Sequence, residues 1–258
     1  METILEILIR ETREAERENI RRFDPDRYPV KSRPGPGAWT SLAARDFFLI
    51  AEVKKGSPSR GLIRSELDPA ALAGEYEAAG AAAVSVVTES RRFFGRKDFL
   101  PRVKARVRLP VLRKDFLIHP CQVYESLALG ADFILLIAAC LTGGSLAEMR
   151  ETAGQLGLGV LLEIHSPNEL DRALAVHPDF LGINNRDLND FSVDWRRGLE
   201  LRPSVPPGIP VIAESGINGP GQVRAFKEAG FAGILVGEHL VRADDPVRAL
   251  RELLDGQD

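Results

Sequence analysis

Lysine is scarce in this 258-residue chain: there are seven, against 27 arginines. Cysteine is rarer still. Two residues, Cys121 and Cys140, exclude a disulfide framework, and their spacing fits no metal site. Both fall in apolar or helical contexts, where a thiol serves as a small hydrophobe. No apolar run reaches membrane-spanning length. The start, Met1-Glu2-Thr3-Ile4-Leu5-Glu6, lacks the cationic head and apolar heart of a signal peptide. A formal charge of −3 excludes a global basic field, so any anion site has to be local. These absences predict a cytoplasmic protein with no nucleic-acid or membrane partner. Asn and Gln are also few. With the arginine excess, that fits a GC-rich genome or a hot habitat, and sequence does not separate the two.

What is present is a globular composition, 44% hydrophobic, enough for one large α/β domain or two small ones. Residues 2–22 read as an amphipathic helix laced with i,i+4 ion pairs. The Pro/Gly-rich stretch from Tyr28 to Gly37 reads as a linker. From residue 47 a rhythm begins. Short β-rich runs at 48–53, 83–87, 110–113, 132–137, 159–164, 180–184, 210–213 and 233–236 are apolar almost throughout, as in parallel strands buried on both faces. Helical stretches lie between them: Pro69 to Ala79, Pro120 to Leu129, Ser145 to Leu156, Pro167 to Val176, Gly221 to Ala229 and Pro246 to Leu254. Proline opens several, and Gly80, Gly130, Gly157 and Gly230 suit their C-terminal ends. Eight such units predict a single (β/α)₈ TIM barrel over residues 47–258, carrying an N-terminal helical extension and linker over 1–46. A doubly wound open sheet is the alternative. It would usually show a glycine-rich fingerprint after its first strand, and none is there.

In a barrel the residues after each strand's C-terminal end form the active site. Three of the seven lysines stand there: Lys54 and Lys55 after strand one, Lys114 after strand three. Arginine stays protonated at any ordinary pH, whereas a lysine shielded from water can lose and regain a proton. Strand alternation turns Glu52 and Lys54 together into the barrel mouth and Lys55 away from it. Strand five embeds Glu163 among aliphatic residues, which favours a raised pKa or a lysine partner. His165 beside it reads as structural, next to a helix start that Ser166 is expected to cap. Strand six ends in Asn184-Asn185-Arg186-Asp187-Leu188-Asn189, a polar cluster suited to side-chain hydrogen bonding or to ordinary turn chemistry. Glu214-Ser215-Gly216 and Gly237-Glu238-His239 follow strands seven and eight, where barrels commonly hold phosphate on backbone N–H groups. His239 is given no role. Acid–base chemistry on a phosphorylated small molecule follows, with no metal or cofactor motif.

The chain resembles the indole-3-glycerol phosphate synthase family of tryptophan biosynthesis. The resemblance rests on Ile50-Ala51-Glu52-Val53-Lys54-Lys55-Gly56-Ser57-Pro58-Ser59, Pro110-Val111-Leu112-Arg113-Lys114-Asp115-Phe116, Leu162-Glu163-Ile164-His165, Gly182-Ile183-Asn184-Asn185-Arg186-Asp187-Leu188 and Ala213-Glu214-Ser215-Gly216-Ile217. It implies ring closure of 1-(o-carboxyphenylamino)-1-deoxyribulose 5-phosphate, with loss of CO₂ and water and without a cofactor. It further implies Lys114 as the acid at the substrate carbonyl, Glu163 and Lys54 as acid–base residues, and Glu52 as a partner holding a lysine's charge. Asn184 would bind a hydroxyl or orient a catalytic group, and Glu214 would line the anthranilate side. Ser57, Ser215, Gly216, Gly237, Glu238 and Arg186 would meet substrate, chiefly its phosphate. Phe93, Phe116 and Leu135 would wall the aromatic ring. A monomer with no obligate partner, ending soon after its eighth helix, is expected. Two departures stand out: the family's Phe-x-Gly-Ser loop reads Phe93-Phe94-Gly95-Arg96 here, so Arg96 either replaces the serine or faces solvent, and the family varies after strand eight, so Glu238-His239 is less diagnostic. Rival readings are the preceding isomerase of the same pathway, which uses a cysteine near strand one; a Schiff-base aldolase; and a catalytically inactive phosphate-binding barrel.

Overall fold

The structure, a computed structural model, describes residues 2–27, 37–187 and 191–255. Eight parallel strands close on themselves: β1 (Phe48–Val53), β2 (Ala83–Val87), β3 (Val111–Lys114), β4 (Phe133–Ile137), β5 (Gly159–Ile164), β6 (Phe180–Asn184), β7 (Val211–Glu214) and β8 (Gly233–Val236). Each pairs with its neighbours in sequence, and β8 returns to β1 through Phe48 opposite Gly233 and Ala51 opposite Val236. The expected TIM barrel is therefore present, with strand boundaries within one residue of those read from the sequence.

Alternation explains why these strands are apolar on both faces. Phe48, Ile50, Leu112, Phe133, Leu135, Leu161, Phe180, Ile212 and Leu235 point inward and fill the barrel. Leu49, Ala51, Val53, Ile134, Leu136, Leu162 and Ile183 point outward and pack beneath the helices. Trp39 and Leu42, just before β1, join the inner cluster, with Trp39 edge-on to Phe180 at 6.0 Å between ring centroids. One end of the interior is thus plugged by carbon. Polar inward positions occur at the other end.

The helices follow their sequence signals closely where proline opens them: Pro69–Ala79, Pro120–Ala128, Pro167–Ala175, Pro220–Glu228 and Pro246–Leu254. Gly80, Gly130, Gly157 and Gly230 all have positive φ, as their place at helix ends predicts. Among the elements that differ from expectation, three are instructive. Phe99–Arg106 and Arg196–Leu201 are helices with no side-chain cap, so no local signal marks their starts. The segment expected as one helix over 2–22 is two, Ile4–Ala15 and Arg17–Arg22, broken at Glu16. That carboxylate is buried between Lys97 Nζ at 2.8 Å and Asn19 Nδ2 at 2.7 Å, and the kink brings it there. Of the linker expected from Tyr28 to Gly37, residues 28–36 lie outside those described.

Candidate active site

A cavity of about 510 Å³ opens at the C-terminal mouth of the barrel. Every residue singled out above as catalytic or substrate-binding lines it: Lys114, Glu163, Lys54, Glu52, Asn184, Glu214, Ser57, Ser215, Gly216, Gly237, Glu238, Phe93, Phe116, Leu135 and Arg186. Register accounts for the grouping. Val87 pairs with Lys114, Ile137 with Glu163, Glu163 with Gly182 and Asn184 with Glu214, so one ring of inward positions carries the charge.

Lys114 occupies the centre. Its Nζ lies 3.2 Å from Glu163 Oε2 and 3.1 Å from Glu214 Oε2. Both carboxylates are essentially fully buried, so the three groups set one another's charge. Burial alone would discharge the ammonium, but Glu163, Glu214 and Glu52 outweigh it and raise the Lys114 pKa above the ordinary lysine value. Burial also disfavours the Glu163 carboxylate. Lys114, His165 and Asn184 overcome that and push its pKa well down. Glu214 has less help. Burial and the neighbouring Glu163 raise it to about 8 against the pull of Lys114. Burial and charge thus push the trio apart: an amine toward its charged form, one carboxyl toward its ionised form and the other toward its protonated form, which places an acid and a base within one solvent-shielded space.

The second lysine forms a simpler pair. Lys54 Nζ stands 3.2 Å from Glu52 Oε1, with both side chains nearly buried. Two glycines make space for the carboxylates. A Cβ on Gly182 would collide with Glu214 Oε1, and one on Gly237 with Glu52 Oε1. Among the described residues, Glu214 Oε1, Glu52 Oε2 and the inward Ser85 hydroxyl are buried without a hydrogen-bond partner. Such groups normally find one.

At one end of the cavity lie Ser57, Ser215, Gly216, Gly237, Glu238 and Arg186. Ser215 has φ 65° and Gly216 φ 77°, a sharp left-handed turn directly after β7. A serine held there stores roughly 1–3 kcal/mol of strain. Asn185 Nδ2 donates to Ser215 O at 3.0 Å and Gln222 Nε2 to Gly216 O at 2.8 Å, which fixes the turn. Asn185 also accepts from Gly198 N, so it supports the loop, while Asn184 reaches the cavity. Leu188 and Asn189 lie outside the described residues.

The opposite wall is apolar. Phe93 and Phe116 are tilted neighbours at 6.1 Å, joined by Leu135 and Ile137. Among the lining residues with no site signal of their own in the sequence, two are instructive. Leu8, on the N-terminal helix, reaches the cavity from 40 residues before β1. Its sequence signal is an ordinary amphipathic stripe. Glu89 accepts from the backbone N–H of Arg91, Arg92 and Phe93, each at 2.8 Å, and so presents Phe93.

The remaining candidates fall into place. His165 Nε2 lies 3.0 Å from Glu163 Oε1, though not aligned as a hydrogen bond, and its pKa rises to about 9 because Glu163 and Glu169 outweigh burial. The imidazole thus acts on Glu163 from beside the cavity; alternation of residues 163 and 165 was the available signal. Ser166 makes no cap through its side chain. Its Oγ donates to Glu169 Oε1, and Glu169 Oε2 accepts from His165 N, so the glutamate takes over the helix start. Arg96 faces solvent and pairs with Asp98 at 2.7 Å, which answers the question left by the missing serine. Both cysteines are free thiols, and burial pushes Cys121 up to about 11.

The family profile of indole-3-glycerol phosphate synthase matches residues 16–253. The chain belongs to the indole-3-glycerol phosphate synthase family. The "Indole-3-glycerol phosphate synthase" of Rhizorhabdus wittichii is 46% identical over 215 residues, 83% of this chain and 81% of that protein. The "Indole-3-glycerol phosphate synthase 2" of Ralstonia nicotianae is 44% identical over 244 residues, covering 93% and 91%. The fold extends further. A 3-hexulose-6-phosphate synthase superimposes with TM-score 0.66 at 16% identity, over 82% of this chain and all of that one. The family's activity is that of a carboxy-lyase in tryptophan biosynthesis, and it is the activity of this chain. Among the described residues no helix is long and apolar enough to cross a membrane.

Proposed function

We propose that ring closure of 1-(o-carboxyphenylamino)-1-deoxyribulose 5-phosphate is carried out here by Lys114, Glu163 and Lys54. The observation that carries this is the ammonium of Lys114 held between Glu163 and Glu214, beside an aromatic wall and a cationic end. The anthranilate ring lies against Phe93, Phe116, Leu135 and Leu8, with Glu214 on its flank. The phosphate lies at Ser57, Ser215, Gly216 and Gly237, and Asn184 meets a hydroxyl or orients Glu163. As the ring carbon attacks the carbonyl, Lys114 gives a proton to the oxygen. An alkoxide is more basic than an amine, so the transfer runs downhill even from a lysine its neighbours hold charged. Loss of CO₂ then restores the aromatic ring. Departure of the new hydroxyl as water needs a donor at that oxygen and an acceptor for the ring proton, and Lys54 and Glu163 supply these two roles. A lysine kept protonated is a poor nucleophile, which weighs against a Schiff base at Lys114.

We infer a monomer acting on a diffusing substrate, since this chain supplies both the charged ring and the apolar wall. Free thiols support a reducing, cytoplasmic setting. Residues 1–46 work with 47–258 as one unit, since Leu8 lines the cavity and Glu11 pairs with Arg92. The test is to follow CO₂ release and indole fluorescence separately in single turnovers. Lys114→Gln is expected to abolish both. Lys54→Gln or Glu163→Gln is expected to release CO₂ while indole formation lags. Coincident loss of both signals in all three variants would remove the division of roles.

A further inference from the structure

The anion end of the cavity contains an anion of its own. Glu238, the residue after Gly237, sends its carboxylate to Arg186, expected to meet the phosphate, and to Arg60, which lines the cavity beside it. Arg186 Nη2 donates to its Oε2 at 3.3 Å, Arg60 Nε to its Oε1 at 3.0 Å, and Arg242 Nη1 stands 3.6 Å from Oε1. Partial burial works against its charge, but Lys54 and Arg186, with Arg60, hold the Glu238 pKa below the usual carboxylate range. The three contacts differ in weight. Arg60 and Arg242 are more than half exposed, where a pair is worth little, whereas the Arg186 and Glu238 side chains are 18% and 22% exposed. Arg186 is further positioned by Nη1 donating to Ser59 Oγ at 3.3 Å and Phe191 O at 3.2 Å. Glu238 thus joins the loop after β1, through Arg60, to the loop after β6, through Arg186, across the cavity.

We propose that Glu238 is an internal competitor for the substrate's phosphate, occupying Arg186 and Arg60 until a phosphate group displaces it. This rests on the phosphate reading of the same end of the cavity. Two anions cannot share these cations without repulsion, so each arriving phosphate works against a resident carboxylate. The arrangement weakens binding of any phosphorylated ligand, product included. It also favours a dianion over a singly charged group, since only the former gains enough from the arginines to displace Glu238.

The test is calorimetric titration of inorganic phosphate into the full chain at fixed ionic strength, for wild type and Glu238→Gln, with KM for the phosphorylated substrate measured alongside. The glutamine keeps the side chain's size and removes its charge. The dissociation constant for phosphate is expected to fall about tenfold, with KM moving the same way. Unchanged or weaker phosphate binding in Glu238→Gln, with wild type binding normally, would overturn the competition and leave the phosphate cradle standing. Absence of phosphate binding in both proteins would overturn the cradle and the competition together. If Glu238→Gln fails to fold, Glu238→Asp, whose shorter arm withdraws the charge from Arg186, is expected to tighten phosphate binding by a smaller factor. No tightening there would refute the proposal.

Discussion

Arg113 and Lys114 are consecutive cations on β3, and they face opposite worlds. Arg113 points outward and is completely buried. Its guanidinium donates to Thr88 Oγ1 at 3.2 Å, Gln122 O at 3.2 Å, Ser126 Oγ at 3.1 Å and Asp115 Oδ2 at 3.2 Å, and it pairs with Glu125 at 2.8 Å. Glu125 continues through Lys97 to Glu16 on the N-terminal segment. Every arm of the fork is committed to a fixed partner. Lys114 points inward and meets two carboxylates and an open cavity. The difference teaches why the chain spends one of its few lysines there. A planar, permanently charged group suits a joint between elements. A compact, titratable one suits a site where a proton has to move.

The comparison breaks most visibly at Lys114. Lys114→Arg keeps the charge and loses the transferable proton, so turnover is expected to fall ~10²–10⁴-fold while substrate binding largely survives. Near-normal steady-state rates would show that Lys114 supplies charge alone. The reciprocal change, Arg113→Lys, leaves two part-buried carboxylates, two hydroxyls and a carbonyl without their fork. It is expected to cost roughly 3–5 kcal/mol in urea unfolding, with turnover per folded molecule within a few-fold of wild type. A collapse of turnover in a folded Arg113→Lys protein would mean that the two faces of β3 are not independent.

Burial and the neighbouring Glu163 raise the Glu214 pKa in the folded protein from its ordinary 4.5 to about 8. Between those values the folded state keeps a proton that the unfolded chain has released, so this group loses stability as pH rises through the window. Glu163 is depressed and acts oppositely: its contribution is present above the ordinary carboxylate range and fades as pH falls. Glu214→Gln should therefore melt above wild type at about pH 9, with the gain shrinking toward about pH 5. A gain independent of pH would separate Glu214 from the proton it is assigned. The smallest effect is expected at Arg96, which pairs with Asp98 in solvent. Arg96→Ser should leave KM within about twofold and stability within about 0.5 kcal/mol.

The barrel was legible because its strands are apolar on both faces, and runs such as Phe48 to Val53 or Phe133 to Ile137 admit few other placements. The charged ring was legible because alternation is strict: once Glu52 faces inward, Lys54 follows. What escaped the sequence depends on contacts distant in the chain or on backbone choices without a local signature. The break at Glu16 answers to Lys97, 81 residues away. Leu8 needs the whole barrel in place before it has a cavity to line. Glu89 clasps its own loop with a carboxylate that any surface glutamate would resemble. Ser166 follows the usual capping grammar and is displaced by Glu169 three residues on.

Closure of the barrel through β1 and β8 also has a consequence in time. Glu52 and Lys54 emerge early in synthesis, but the strand that completes their wall, bearing Gly237 just beyond it, comes 185 residues after Phe48 begins the first. At roughly 5–20 residues per second, a ribosome holds the first strand and its Glu52 for some 10–40 seconds before the last strand can join it. During that interval β1 has an open edge and its inward charges have incomplete company. Catalytic competence in this architecture therefore arrives late, with the final strand, and a nascent chain halted before residue 233 is expected to be inactive however well its earlier helices have formed.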